Sequence, residues 1–364
     1  VHRSPYALAR AIQAGEAGPP PTTIFSQRDT ATPLVGPMQA QAFAERFAAT
    51  HARTTTVQSR RMPNFELEPG LVRLALRGQR ATAGRDEHGL SPRMLAVAAD
   101  CEQFVHEFTR LLEDIVRTGQ APKLWKRLLV VPLSKKDKSR TWLESYRAIF
   151  LTHWLSRVGE TVFEWMDRAA LARVPHALTG APCPHGLHPA QVGFRAGMGD
   201  HIVPLAGISL WLQARRSNVL LVQLAIDLTD AYPSAPTDET IQALSDAGAS
   251  APGIAFRTAL AVDNVLSARV GLYKSPEQPA PGGIKAGRKG GPTEWAAFSG
   301  GLLNALDEGL KSQRIPTGHF GEGMIDGFVA CIADDISIFA TVNSANATRR
   351  LLRAITNAIE TLSH

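Results

Sequence analysis

The chain has 364 residues and a net charge of +6, with a pI near 9.4. That length can bury a substantial core and hold two subdomains, and a basic balance suits a polyanionic partner. Its three cysteines, Cys101, Cys183 and Cys331, are too few and too scattered for a disulfide framework, and no uninterrupted apolar run is long enough to span a bilayer. Residues 16–36, rich in Pro, Thr and Gly, read as a linker, which makes 1–60 an N-terminal extension. Apolar spacing predicts helices over 37–51, 96–118, 154–172 and 345–362. Residues 121–147 hold eight cations, Lys123, Lys126, Arg127, Lys135, Lys136, Lys138, Arg140 and Arg147, against Asp137 and Glu144. That local surplus equals the net charge of the whole chain. Cys183, His185 and His188 have no second ligand pair at zinc-knuckle spacing, so 182–189 reads as a Pro-rich loop.

The chemistry concentrates further on. Residues 218–226 form a mostly apolar run that predicts a buried strand ending on Asp227. Asp230, three residues later, suits a turn-capping role rather than a metal. A glycine-rich stretch comes next, with Gly282, Gly283, Gly287, Gly290 and Gly291 interleaved with Lys285, Arg288 and Lys289. It reads either as a flexible surface loop or as backbone that allows a close approach. Residues 328–339 then predict a hairpin with Asp334 and Asp335 at its tip. Gly or Asn is the usual tip residue because it tolerates positive φ. Two adjacent like charges repel there unless a cation neutralises them, the alternative being a solvated acidic turn. A carboxylate at a strand end and two at a hairpin tip can converge on two hard cations such as Mg²⁺, of the kind that serve phosphoryl transfer.

Ile332-Ala333-Asp334-Asp335 resembles the Tyr-Ala-Asp-Asp box of reverse transcriptases from non-LTR (LINE-like) retrotransposons, with Ile in place of Tyr. Asp227 to Tyr232 is similar to that family's first catalytic motif, an Asp followed five residues later by an aromatic. Between them, Gly283-Ile284-Lys285-Ala286-Gly287 followed by Pro292 resembles Gly-Val-Pro-Gln-Gly with a later Pro, Lys285 and Ala286 replacing the Pro and Gln. Upstream, Gly193-Phe194-Arg195 resembles the Gly-Phe-Arg segment, with Asp200 following. Tyr146-Arg147-Ala148-Ile149 resembles Tyr-Arg-Pro-Ile, Leu124-Trp125-Lys126 and residues 130–136 resemble the strand that opens the fingers, and residues 81–90 loosely resemble a Gly-Pro-Asp-Gly-Ile stretch. The likeness covers roughly residues 60 to 345.

The resemblance implies an α+β right-hand polymerase fold: fingers and fingers–palm connection over 61–215, palm over 216–344 with an antiparallel sheet backed by helices, and a final helix over 345–364. A thumb is expected to be absent, as in a fragment. It implies RNA-directed DNA polymerase activity with two Mg²⁺ (or Mn²⁺) ions, Asp227 and Asp334 bridging both metals and Asp335 beside them. Lys136, Arg147 and Tyr232 are implied to bind the nucleotide, Tyr232 as a steric gate against a 2′-hydroxyl. Gly283, Gly287, Arg288, Lys289 and Arg195 are implied to hold template and primer. Lys285, Arg288 and Lys289 are expected to offset the missing Gln through phosphate contacts. The implied partners are an RNA template, a DNA primer and dNTPs, without a membrane, and the implied location is nuclear. A decayed remnant that only binds nucleic acid and an RNA-dependent RNA polymerase are the alternatives.

Overall fold

A computed structural model describes residues 24–25, 33–52, 60–135, 138–171, 186–194, 201–228, 230–313, 327–342 and 344–362. In chain order the first elements are β1 (Ile24–Phe25), β2 (Pro33–Leu34), α1 (Pro37–Thr50), α2 (Pro69–Arg77), α3 (Pro92–Ala98) and α4 (Glu102–Thr118). Next come β3 (Arg127–Ser134), β4 (Tyr146–Leu151), α5 (Trp154–Leu171), α6 (Ile202–Arg216), β5 (Leu220–Asp227), α7 (Ala231–Ser234), α8 (Thr237–Asp246) and α9 (Ala251–Ala261). The last are β6 (Val265–Val270), β7 (Tyr273–Lys274), β8 (Gln278–Pro279), α10 (Gly291–Ser312), β9 (Gly327–Ile332), β10 (Asp335–Val342) and α11 (Ala345–Leu362). Helices and mixed sheets together are compatible with the α+β class.

The chain divides into two units that interleave along the sequence. The first comprises Val1–Met166, Tyr232–Asp238 and Ala251–Gly291, the second Asp167–Ala231, Glu239–Ser250 and Pro292–His364. Within 216–344, residues 232–238 and 251–291 group with the first unit. The reason is a long-range pairing: β6 lies parallel to β3, Arg127 to Val130 opposite Val265 to Ala268. β4 and β7 complete that sheet antiparallel, and β8 also pairs with β6.

Helix α1, inside the 1–60 stretch, joins a core. Ala40, Phe43, Ala44 and Phe47 are buried in one core with Leu128, Val130, Leu266 and Ala268. The Phe43 ring meets Tyr146 edge-on, centroids 5.0 Å apart. The helix expected over 96–118 is instead two, α3 and α4, broken at Cys101, whose backbone is extended. The break lets Asp100 and Glu102 pair with Arg77 and Arg73 on α2. Helices α2, α3, α4, α5 and α9 share a second core built on Leu76, Leu95, Leu112, Val158, Phe163 and Phe256.

The loop over residues 81–90 is structural. Asp86 Oδ1 accepts the His88 and Leu90 amides, both at 3.0 Å, and its Oδ2 accepts the Trp154 amide at the start of α5, at 3.1 Å. One carboxylate therefore closes its own turn and caps a helix whose first amides lack intrahelical partners.

In the second unit, β5, β10 and β9 form an antiparallel sheet in that order. One face packs Ile336, Ile338 and Val329 against Leu303 and Leu306 of α10 and Leu351 and Ala354 of α11. The other packs Phe328 and Phe339 against Val203, Ala206 and Leu210 of α6. The run ending at Asp227 was expected to be a buried strand. β5 is instead an edge strand, exposed at Leu220, Gln223, Ala225 and Asp227. It starts at Leu220 because Asn218, in the left-handed region at φ 53, ends the turn after α6. No helix among the described residues is long and apolar enough to cross a membrane.

Candidate active site

The acidic residues come together in the second unit. Antiparallel register sets Asp335 directly opposite Asp227, at the first residue of β10 and the last of β5. Opposed residues in adjacent strands carry their side chains on the same face, so the two carboxylates face one another. Asp334 precedes Asp335 by one residue, half-buried in the hairpin turn. Like charges directly opposite are destabilising by themselves. Their common face opens on a cleft of about 770 Å³, lined also by Gln223, Ala225, Ser337 and Gly207.

The turn has an unusual residue. β9 and β10 pair from Ile332↔Asp335, leaving Ala333 and Asp334 as a two-residue connection. Ala333 adopts φ 58, the left-handed conformation that tight hairpins reserve for Gly. For alanine this costs about 1–2 kcal/mol. Several contacts hold it there. The Trp295 indole Nε1 donates to the Ala333 carbonyl at 2.5 Å, and the Cys331 thiol approaches the same oxygen at 3.2 Å. Burial pushes the Cys331 thiol up to about 12, with Asp334 and Asp335 adding to the rise, so it stays neutral.

The donor set suits a hard divalent cation. Mg²⁺ is commonly held by one or two carboxylates, with waters and substrate phosphates completing its shell. Asp227 and Asp335 supply such a pair, with Asp334 adjacent. Among the described residues, no group of three or more His, Cys, Asp or Glu side chains is arranged to hold a metal ion.

Gly193 and Phe194 also lie in the second unit, whereas Arg147, Tyr232 and the glycine-rich stretch to Gly291 belong to the first. The glycine-rich stretch is a pinned loop there. The Gly282 amide donates to the His51 carbonyl, Ile284 to Tyr232 and Phe150 to Ala286, each at 2.8 Å. Gly287 has φ 105, and a Cβ on it would lie 2.6 Å from the Phe150 carbonyl oxygen. One face of α5 grips residues 287–290. Arg157 donates to the Gly287 carbonyl at 3.4 Å, and Glu160 accepts from Arg288 Nε at 2.8 Å, from the Lys289 amide at 2.7 Å and from the Gly290 amide at 3.2 Å. Burial pushes the Glu160 carboxyl up, but the Arg288 and Arg157 charges and the Gly290 N–H outweigh it and hold it below its ordinary value.

This changes the expected phosphate contacts. Arg288 is 8% exposed and committed to Glu160. Lys285 is 1% exposed, and its ammonium reaches the Gly282 and Gly283 carbonyls inside its own loop. Of the three expected cations, Lys289 is the exposed one, lying 3.5 Å from Glu164. Tyr232 is half-buried, its carbonyl engaged by the loop. Arg147 lies in β4 opposite Leu133 and is exposed. Nearby, Lys126 and Arg127 are paired with Asp263 and Glu277. Lys136, Arg195, Cys183 and His185 lie outside the described residues; His188 is buried against Asp307 at 3.5 Å.

Sequence reasoning missed Trp295, Glu160 and His51. Trp295 shows only as an aromatic three residues after Pro292, and Glu160 only as one charge on a helix; neither reveals a partner far along the chain. The His51 ring is buried, with Nδ1 2.8 Å from the Phe47 carbonyl. Burial, joined by the nearby Lys285 charge, pushes its imidazole down from 6.5 to about 3. Below pH 6.5 the unfolded chain binds a proton that the folded ring refuses, so stability is expected to fall with pH down to about 3. The slope approaches about 1.4 kcal/mol per pH unit. Urea midpoints at about pH 7.5 and about pH 5 measure this loss, and a His51→Gln variant should reduce the difference, His153, also lowered by burial, adding to the same loss. The Glu160 contribution, from a lowered carboxyl, disappears only at more acidic pH.

No protein-family model matches the chain, and no curated protein sequence is significantly similar to it.

Proposed function

We propose that the chain carries the fingers and palm of a retrotransposon reverse transcriptase, an RNA-directed DNA polymerase that joins dNTPs to a primer 3′-hydroxyl. The observation that supports this most is the pairing of Asp227 with Asp335 at the open end of a three-stranded antiparallel sheet, with Asp334 in the adjoining turn. The order of motifs along the sequence supplies the rest.

In this reading Asp227, Asp334 and Asp335 hold Mg²⁺ or Mn²⁺. Bound there, the divalent cation lowers the pKa of the primer hydroxyl and neutralises triphosphate charge. Arg147 and Lys136 contact the triphosphate, Arg147 through a bidentate fork. Lys289 contacts phosphate, while Arg288 and Lys285 shape the loop that presents it. Such a protein acts on an RNA template in the nucleus. Incorporation of dNTPs on an RNA template annealed to a DNA primer tests the proposal; it should be lost in Asp334→Ala/Asp335→Ala.

A nucleic-acid-binding remnant is the second reading, favoured by Ile332, Ala148 and Ala286 standing where the family motifs have Tyr, Pro and Gln. It predicts duplex binding that is salt-sensitive and indifferent to Mg²⁺. An RNA-dependent RNA polymerase differs at Tyr232. If its ring excludes the 2′-hydroxyl, Tyr232→Val should reduce discrimination against ribonucleotides on the order of tenfold or more. Competition between dNTP and rNTP measures this, and unchanged selectivity would remove the gate.

A further inference from the structure

The turn that carries Asp334 is gripped from two sides within its own unit. On one side stands α10. Its Trp295, 2% exposed, directs the indole N–H at the Ala333 carbonyl, and one helical turn later Ser299 Oγ accepts from Gln191 Nε2 at 2.9 Å. On the other side, residues 190–193 run along β9. The Cys331 amide donates to the Ala190 carbonyl at 2.7 Å, and the Val192 and Gly193 amides donate to the Cys331 carbonyl at 2.8 and 3.1 Å. Gly193 fits against the turn only because it lacks a side chain. A Cβ there would stand 2.7 Å from the Ala333 nitrogen and 3.2 Å from the Ile332 Cα. Gln191, fully buried, also accepts the Gly193 amide at 3.2 Å.

These contacts meet at Ala333, the residue with an unfavourable backbone conformation. An alanine held at positive φ persists when its surroundings over-determine it, and the conformation here sets where Asp334 and Asp335 stand relative to Asp227. We propose that Trp295 is a positioning residue for the metal site: its indole N–H holds the Ala333 carbonyl, and so keeps the Asp-Asp turn in the conformation that binds a divalent cation. The inference rests on the metal-binding reading of the three aspartates.

Partners that orient metal ligands typically change metal affinity by ten- to a hundredfold when removed. Trp295→Phe keeps the ring and deletes the donor, so it should weaken Mn²⁺ binding by roughly ten- to a hundredfold, read from free Mn²⁺ by electron paramagnetic resonance. Adding Ala333→Gly supplies a residue that adopts positive φ without a latch, and should restore most of the affinity. The unaltered protein gives an independent measurement. Because linkage is reciprocal, saturating Mg²⁺ should slow hydrogen exchange at the Trp295 indole N–H. If the unaltered chain binds no Mn²⁺, the metal-site reading fails and the latch with it. If the unaltered chain binds and Trp295→Phe binds equally well, or indole exchange ignores Mg²⁺, the latch alone is overturned.

Discussion

Gly283→Ala is expected to destabilise the first unit by about 3 kcal/mol or more. Gly283 sits at φ 75, where an L side chain is strained. A Cβ there would also collide with the Pro233 carbonyl oxygen and come within 2.9 Å of His51 Cδ2. Neither neighbour yields easily. Pro233 lies in α7, and His51 is buried, with its carbonyl bonded to the Gly282 amide. Strain and overpacking therefore add. Gly89 separates the two effects, since it has φ 83 but nothing within 4 Å of its added Cβ. Gly89→Ala should cost about 1 kcal/mol, the backbone part alone. Denaturant unfolding of both variants measures the difference. Equal losses would mean that the loop moves aside from Pro233.

Asp227→Asn should lower nucleotide incorporation on the order of a thousandfold or more. Stabilisation of transition-state charge by a metal is worth several kcal/mol, and each 1.4 kcal/mol or so is tenfold in rate. The substitution is close to isosteric and falls on an exposed edge-strand position, so the fold should be retained. It also removes one of two opposed negative charges, a change that favours the sheet pairing. Loss of activity with unchanged or slightly raised stability is the expected signature. Affinity for an RNA–DNA duplex, measured by fluorescence anisotropy, should change little, because phosphate contacts made by cations dominate it. A variant that keeps near-normal activity would remove Asp227 from the site.

The legible parts of the sequence were those with short-range causes. The Asp227 strand end and the hairpin of β9 and β10 follow from β-branched apolar runs interrupted by acids, and α11 follows from its apolar spacing. The break at Cys101 was hidden because helical spacing runs on through Asp100 and Glu102, whose partners lie on α2. The parallel alignment of β3 with β6 joins segments more than a hundred residues apart, and no local pattern announces it. Lysine and arginine in a glycine-rich stretch read as surface cations. The pairing of Arg288 with Glu160 comes from the packing of that loop on α5, and Lys285 is buried with its ammonium turned onto its own loop. Even the hairpin held one surprise: the left-handed turn residue is Ala333 rather than Gly, with its carbonyl held by Trp295 and Cys331.

The most direct measurement is incorporation of a single labelled dNTP opposite each of the four RNA template bases, with a DNA primer and Mg²⁺. The complementary dNTP should be added in each case, and Asp334→Ala/Asp335→Ala should add none. Folded, duplex-binding protein that adds no nucleotide, or incorporation that survives loss of both aspartates, would contradict it.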